Sequence, residues 1–186
     1  PFATMILADQ GADVIKVELP GVGDFVRSTG NKQGGMSATF LNNNRNKRSI
    51  TVDLKDQRGK DVMLKLVESC DAMVQNFRPG VVERIGISYD DVKKVKPNIV
   101  YLSISGFGEK GPYSQKPTYD PIVQALSGLT TVQAGSDQER PRLIRTIVPD
   151  KVTALTASQA MTAGLLSKFR TGEGQHIRLS MLDSVI

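Results

Sequence analysis

The sequence predicts an α/β protein with a mostly parallel sheet that is flanked by helices and followed by one long helix. Two observations support this fold class. Short runs rich in β-branched and apolar residues alternate with segments of helical periodicity through residues 1–120, which is typical of βαβ units. Residues 151–169 are then rich in Ala, Leu, Met and Thr, which favours a long helix.

Periodicity, together with glycine and proline positions, predicts each element in turn. Residues 1–9 predict a helix that Gly11 ends, and residues 60–70 carry their apolar side chains on one helical face. Pro79 can open a short helix, and Ser88 is a suitable N-cap for another that ends at Pro97. The remaining expectations are strands at 13–18, 49–54, 71–75, 99–104 and 175–180, helices at 120–129 and 151–169, and loops at 28–37 and 133–142.

Length and composition exclude several kinds of site. The chain has 186 residues, enough for one domain, with a formal net charge of +5, one cysteine and one histidine. A Cys/His metal cage and an intrachain disulfide framework are therefore impossible, and we expect no metal site. A serine or cysteine nucleophile would have only His176 as its histidine base. We expect Cys70 to be packed and His176 to be a structural or surface strand residue.

The same features suggest a cellular location and a class of partner. No apolar run approaches the roughly 18 residues that a membrane span needs, so we expect no membrane partner. A single cysteine suits a reducing compartment, and we expect a cytoplasmic protein. The basic surplus suits an anionic partner, such as a phosphorylated cofactor or nucleic acid. The chain begins and stops inside patterned segments, and we expect it to be part of a longer protein.

Loops that follow the strands are the expected ligand sites, because ligands of parallel sheets bind beyond the carboxyl ends of the strands. Residues 76–80 supply Asn76, Phe77 and Arg78 directly after a strand, with Arg84 one turn later. These side chains offer an amide, a stacking face and fixed positive charges. The glycine-rich residues 106–113 are either a ligand loop or a plain surface loop.

Two other segments have competing interpretations. Residues 42–48 are rich in Asn, Arg and Lys, and form either a solvated loop or a set of donors to phosphate. Nucleic-acid binding would use this cluster, but aromatic residues make up only 5% of the chain and no reading motif is present. Residues 21–26 begin like a dinucleotide fingerprint and lack its third glycine, which disfavours a nicotinamide-dependent oxidoreductase.

Asp150 is the carboxylate of greatest interest. It directly precedes the predicted long helix, where an aspartate N-cap would stabilise the helix. A carboxylate can instead act as a nucleophile that forms a covalent acyl intermediate. Spacing alone leaves both roles open.

An ordered series of motifs resembles the amino-terminal half of class III CoA-transferases, the CaiB/BaiF family that includes formyl-CoA transferase-like enzymes. The resemblance covers essentially the whole chain. The motifs are residues 11–18 (GADVIKVE), 20–24 (PGVGD) with Arg27, 44–50 (NRNKRSI) with 53–55 (DLK), 76–80 (NFRPG), 103–108 (SISGFG), 111–113 (GPY), 119–120 (YD), 124–128 (QALSG) and 171–175 (TGEGQ).

The resemblance implies a fold, an activity and a catalytic residue. It implies a Rossmann-like domain within an interlocked homodimer, with residues 1–186 as the amino-terminal, CoA-binding portion of a longer chain whose carboxy-terminal half is absent. It implies transfer of CoA from an acyl-CoA donor to a free carboxylic acid, with no permanently bound cofactor. The family's catalytic aspartate falls on Asp150, which favours the nucleophile over the helix cap.

The resemblance also implies a set of CoA contacts. They are Val52, Lys55, Asn76, Phe77, Arg78, Arg84, Lys116 and Tyr119. Leu19 stands where some members carry an arginine, and Arg27 or Arg45 is a candidate to replace that phosphate contact. The racemase branch of the family carries a histidine at the Tyr119 position. Tyrosine, with a pKa of about 10, is a poor base near neutrality, so acyl-CoA racemisation is the less favoured alternative.

Overall fold

The computed structural model describes all 186 residues, Pro1–Ile186, and confirms the α/β class. The helices are α1 (Phe2–Asp9), α2 (Ala38–Asn43), α3 (Gln57–Glu68), α4 (Val81–Ile85), α5 (Tyr89–Val95), α6 (Asp120–Leu126), α7 (Leu129–Ala134) and α8 (Val148–Thr171). The strands are β1 (Val14–Glu18), β2 (Lys32–Gln33), β3 (Met36–Ser37), β4 (Lys47–Thr51), β5 (Ala72–Gln75), β6 (Val100–Ser105) and β7 (Gln175–Ser180). A short 3-10 helix spans Phe25–Ser28.

The parallel strands are divided between two sheets. β1 pairs with β4, and β6 lies between β5 and β7 in a three-stranded sheet. β2 and β3 form a small antiparallel hairpin. All three strands of the larger sheet run in the same direction, so their carboxyl ends meet at one edge.

β6 is the centre of the molecule because helices cover both of its faces. Tyr101 points into a cluster with residues of α3, α4 and α5, and its hydroxyl donates to the carbonyl of Ile87 at 2.8 Å. Val100 and Leu102 point the other way, against α1 and α8. The alternation of side chains along a strand therefore produces a layer of helices on each side of the sheet.

Local sequence chemistry explains how the covering helices begin and pack. Ser88 is the N-cap of α5, as predicted, and it forms a capping box with Asp91. α8 presents small residues to the sheet, and a side chain at Gly164 would collide with Val100 at 2.8 Å. Small residues on this face allow the long helix to lie close to β6.

Several predicted boundaries were wrong. Residues 28–37 contain the hairpin of β2 and β3, and β4 ends at Thr51 because its partner β1 ends opposite at Glu18. The predicted helix 120–129 is broken by Gly128, which has a φ of 82°, so that α7 continues into the predicted loop 133–142. Pro79 lies ahead of α4, whose N-cap is Gly80.

The predicted start of the long helix was also wrong. α8 begins at Val148, three residues before the expected position, because Pro149 fits in the first turn of a helix. This shift moves Asp150 inside the helix.

None of the helices combines the length and the apolar character that crossing a lipid bilayer requires.

Candidate functional site

A cavity of about 580 Å³ opens where the carboxyl ends of β5, β6 and β7 meet. Phe77 and Arg78, which follow β5, line one side of it, and Phe107 and Lys110, which follow β6, line another. Both loops were singled out by their position after a strand. The cavity thus joins two of the polar or glycine-rich segments at one edge of the sheet.

The cavity lining includes a connected group of residues without a carboxylate, ammonium or guanidinium group, called here its floor: Gln75, Tyr89, Ser103 and His176. The backbone amide of Phe77 donates to Gln75 Oε1 at 2.8 Å, which leaves Gln75 Nε2 to donate to Ser103 Oγ at 2.9 Å. Ser103 Oγ lies 2.8 Å from Nε2 of His176 on β7. The His176 ring stacks on Tyr89 with centroids 4.7 Å apart.

His176 lies on β7, as predicted, and its ring forms part of this floor. Burial lowers its pKa, and the charge of Arg178 lowers the pKa further, so the imidazole is neutral near pH 7. Its Nδ1 atom is buried without a hydrogen-bond partner in the chain.

The eight predicted CoA contacts fall on three segments. Asn76, Phe77, Arg78 and Arg84 follow β5, and only Phe77 and Arg78 line the cavity. Val52 is buried immediately after β4, and Lys55 is exposed in the turn before α3. Lys116 and Tyr119 lie in the exposed segment before α6.

The basic members of this set are free to bind an anion. Lys55, Arg78, Arg84 and Lys116 are all exposed, and none takes part in the salt bridges of the chain. The Lys116 ammonium group lies 5.2 Å from the ring centroid of Tyr113. These four side chains therefore have no intramolecular carboxylate to displace before they bind phosphate.

Arg27 and Arg45, the two candidates to replace the missing phosphate contact, are already engaged. Arg27 donates two hydrogen bonds to the buried carboxylate of Glu18, at 2.9 and 2.8 Å, and its guanidinium lies over the Phe40 ring. Arg45 forms an ion pair with Asp9. The structure therefore does not support either arginine as a replacement for the missing phosphate contact.

The cluster at residues 42–48 is also used within the chain. Arg45 and Asn46 both bind Asp9, and Arg48 binds Asp13. Lys47 donates to the carbonyl of Asn43 at 2.8 Å. These contacts hold the start of β4 against α1 and β1. Most polar side chains of the cluster are thus already engaged within the chain, which disfavours phosphate or nucleic-acid binding.

Asp150 does not cap α8. The N-cap position is Ile147, and Asp150 is the third residue of the helix. Its side chain is exposed, and the carboxylate has no hydrogen-bond or ion-pair partner within the 186 residues. The helix-cap interpretation was therefore wrong, and a free carboxylate remains at the positive end of a helix.

A second carboxylate holds the backbone at this point. Asp120, at the start of α6, accepts a hydrogen bond from the backbone amide of Asp150 at 3.0 Å. Its other oxygen accepts from Gln124 Nε2 at 2.6 Å. Although the residue is exposed overall, neighbouring groups partly desolvate its carboxylate, and this desolvation raises the pKa of Asp150. The negative charge of Asp120 raises this pKa further.

The roles of Asp120 and Gln124 were not predicted from the sequence. Both are almost fully buried, with relative exposures of 4% and 2%. The family resemblance placed both residues in motifs without giving either a role. The local pattern, an acidic residue followed by proline at a helix start, also describes many exposed helix ends. The contact with Asp150 spans 30 residues, so no local pattern could reveal it.

Comparison with known proteins gives a consistent result. The family model of CoA-transferase family III matches residues 1–186. The chain is 44% identical over 189 residues to succinyl-CoA:glutarate CoA-transferase of Mus musculus and 39% identical over 186 residues to acetyl-CoA:oxalate CoA-transferase of Acetobacter aceti. A crystal structure of a CaiB/BaiF family protein from Brucella suis superposes with a TM-score of 0.92 at 36% sequence identity.

These matches cover the whole chain but only part of each relative. The chain corresponds to 43% of the mouse protein, 48% of the Acetobacter protein and 50% of the Brucella chain. It therefore spans about half the length of the proteins it resembles.

Proposed function

The chain belongs to CoA-transferase family III, and from this premise we propose that the full-length protein moves CoA from an acyl-CoA donor to a free carboxylic acid through a covalent intermediate on Asp150. The observation that carries the proposal is the Asp150 carboxylate. It is accessible, has no partner in the chain and is held by its backbone at the start of a 24-residue helix.

The chemistry needs only a carboxylate nucleophile. Asp150 attacks the thioester carbonyl of the donor, which forms a mixed anhydride and releases the CoA thiolate. The thiolate then attacks the aspartyl carbonyl, which releases the donor acid and leaves an aspartyl-CoA thioester. The acceptor carboxylate attacks this thioester, which forms a second mixed anhydride and releases the CoA thiolate. The thiolate then attacks the acceptor acyl carbonyl, which gives the new acyl-CoA and regenerates the Asp150 carboxylate.

We further propose that the CoA moiety binds the loops that carry the predicted contacts. Exposed, unpaired Lys55, Arg78 and Arg84 supply donors for its phosphates, and Phe77 supplies an aromatic face. The cavity beside Phe77 and Arg78 adds a concave surface next to these groups. Lys116 and Tyr119 lie beside α6, whose first residue Asp120 contacts Asp150, and this connects the binding segment to the nucleophile.

We also propose a class of acceptor acid and an oligomeric state. The names of the mouse and Acetobacter relatives pair CoA with glutarate and with oxalate. We propose a small carboxylic acid as acceptor and include dicarboxylic acids among those tested. We also propose a homodimer, as the family resemblance implies.

Hydroxylamine trapping tests the covalent step. The full-length protein is incubated with a panel of acyl-CoAs, treated with hydroxylamine and digested, and the peptides are analysed by mass spectrometry. We expect a hydroxamate on Asp150 and none on the Asp150→Asn variant. Asp137→Asn, in an exposed loop, is the matched control and should retain the adduct.

Absence of an Asp150 adduct with every acyl-CoA, in protein that CoA still protects against thermal unfolding, would contradict the proposal. An adduct on a different carboxylate would contradict the assignment of Asp150.

A further inference from the structure

We propose that Gln124 is a positioning residue that acts through Asp120 to fix Asp150 for nucleophilic attack. This inference rests on the proposed function and assigns a role to a buried amide that does not itself contact substrate. It is carried by a connected set of hydrogen bonds between α6, the segment before α8 and the first turn of α8.

Gln124 uses both ends of its amide. Its Oε1 accepts from the backbone amide of Ile144 at 2.9 Å, which leaves Nε2 to act as the donor. Nε2 donates to Asp120 at 2.6 Å and to the carbonyl of Thr146 at 3.1 Å. One side chain thus binds the helix that carries Asp120 and the extended segment that leads into α8.

Asp120 transmits this arrangement to the nucleophile. With one carboxylate oxygen occupied by Gln124, the other is directed at the backbone amide of Asp150 at 3.0 Å. This amide belongs to the first turn of α8, where helix amides have no partner within the helix. The contact fixes the backbone of Asp150 while its side chain remains free.

Gln124 does more than satisfy the backbone at this point. It is only 2% exposed, and a leucine of similar volume would leave the amide of Ile144 and the carbonyl of Thr146 without this hydrogen-bond partner. The hydrogen bond to Asp120 has no such backbone role, and it holds a buried carboxylate beside the reactive one. Because displacement of a reacting group by about 1 Å can reduce a rate strongly, loss of this arrangement should affect chemistry more than CoA binding.

The test uses the full-length protein with Gln124→Leu and Gln124→Glu, and with exposed Gln133→Leu on α7 as the matched control. Gln124→Glu places a carboxylate against Asp120. Addition of Asp120→Asn restores a donor–acceptor pair between the two positions. We expect adduct formation on Asp150 to fall about tenfold or more in both single variants, with CoA affinity changed less than about twofold. The Asp120→Asn/Gln124→Glu pair should recover part of the rate.

Carbodiimide labelling gives a second readout that does not depend on transfer. This reagent modifies protonated carboxyl groups, so the pH dependence of Asp150 labelling reports the protonation of Asp150. Release of Asp120 in Gln124→Leu weakens the repulsion between the two carboxylates. We therefore expect the labelling midpoint to move to lower pH by about half a unit or more, with no change in Gln133→Leu.

An unchanged midpoint in Gln124→Leu would overturn the inference, and so would an unchanged adduct rate in a protein whose wild type forms the adduct. If the wild type forms no adduct, the proposed function fails, and the labelling midpoint alone decides whether Gln124 positions Asp150. If Gln124→Leu does not fold, the Asp120→Asn/Gln124→Glu double variant is compared with Gln124→Glu. Adduct formation that is no faster in the double variant would overturn the inference.

Discussion

At the scale of single residues, Asp150 combines access to solvent with a raised pKa. Partial burial and the charge of Asp120 both favour its protonated form. Attack requires the carboxylate, so the rate of transfer should fall with decreasing pH at a higher pH than for an ordinary aspartate. The pH–rate profile of Asp120→Asn should have its acid limb at lower pH. Identical limbs in the wild type and the variant would contradict this assignment.

Replacement of Asp150 should separate activity from stability. Asp150→Asn removes the nucleophile, and we expect transfer to fall by about 1,000-fold or more. Because the folded-state pKa of Asp150 is raised, its ionisation disfavours the folded state at pH values above that pKa. The variant should therefore melt at the same temperature as the wild type at pH 7, or at a higher one. A lower melting temperature in differential scanning calorimetry would show that the carboxylate is structural.

Glu18 is a buried carboxylate whose pKa is shifted in the opposite direction to that of Asp150. Hydrogen bonds from Arg27, together with those from Ser49 and the backbone amide of Asp24, lower its pKa to about 2. A depressed folded-state pKa stabilises the protein above the unfolded value, and this contribution is lost as the pH falls from about 4.5 towards 2. Glu18→Gln should reduce the free energy of unfolding at pH 7 by about 2 kcal/mol.

Urea unfolding of the full-length protein at pH 7 and pH 3 measures this effect. The difference between Glu18→Gln and the wild type should be smaller at pH 3. A difference that is equal at both pH values would show that the Arg27 contact does not control the acid sensitivity of this region.

At the scale of elements, two neighbouring glycines between α8 and β7 have different reasons to be glycine. A Cβ at Gly174 would collide with the carbonyl oxygen of Ile99, whereas Gly172 has open space but a φ of 78°. Gly174→Ala should therefore reduce the free energy of unfolding by about 3 kcal/mol. Gly172→Ala should cost about 1 kcal/mol. Chemical denaturation measures both losses of unfolding free energy. Equal losses in the two variants would mean that β7 does not pack closely against the segment before β6.

The same elements show how far local sequence determines this fold. β7 was predicted at 175–180 and observed there, because its alternating pattern ends at clear turn signals. The start of α8 and the end of β4 were misplaced, because Pro149 and the length of β1 set those boundaries. The division of the parallel strands between two sheets depends on contacts between distant segments, which single-sequence periodicity does not contain.

At the scale of the whole molecule, charge pairing separates structural cations from available ones. Arg27, Arg45 and Arg48 each bind a carboxylate near the sheet of β1 and β4. Arg78 and Arg84, in the segment after β5, have no such partner. Sequence motifs identified both groups and could not distinguish them, because the distinction depends on partners 9 to 36 residues away. For the same reason, the sequence singled out Asp150 and missed the residues that hold it.

This separation predicts which cations bind CoA. Arg78→Ala and Arg84→Ala should each weaken CoA binding about tenfold, since each removes a charge-assisted contact to phosphate. Arg48→Ala is the matched control, because its side chain is 65% exposed but already paired with Asp13, and it should change the affinity less than about twofold. Titration calorimetry of the full-length protein at low and high salt measures all three, and the wild-type affinity should fall with salt more steeply than that of Arg78→Ala or Arg84→Ala. Equal losses in all three variants would indicate that CoA responds to the overall positive charge and that these loops do not form its site.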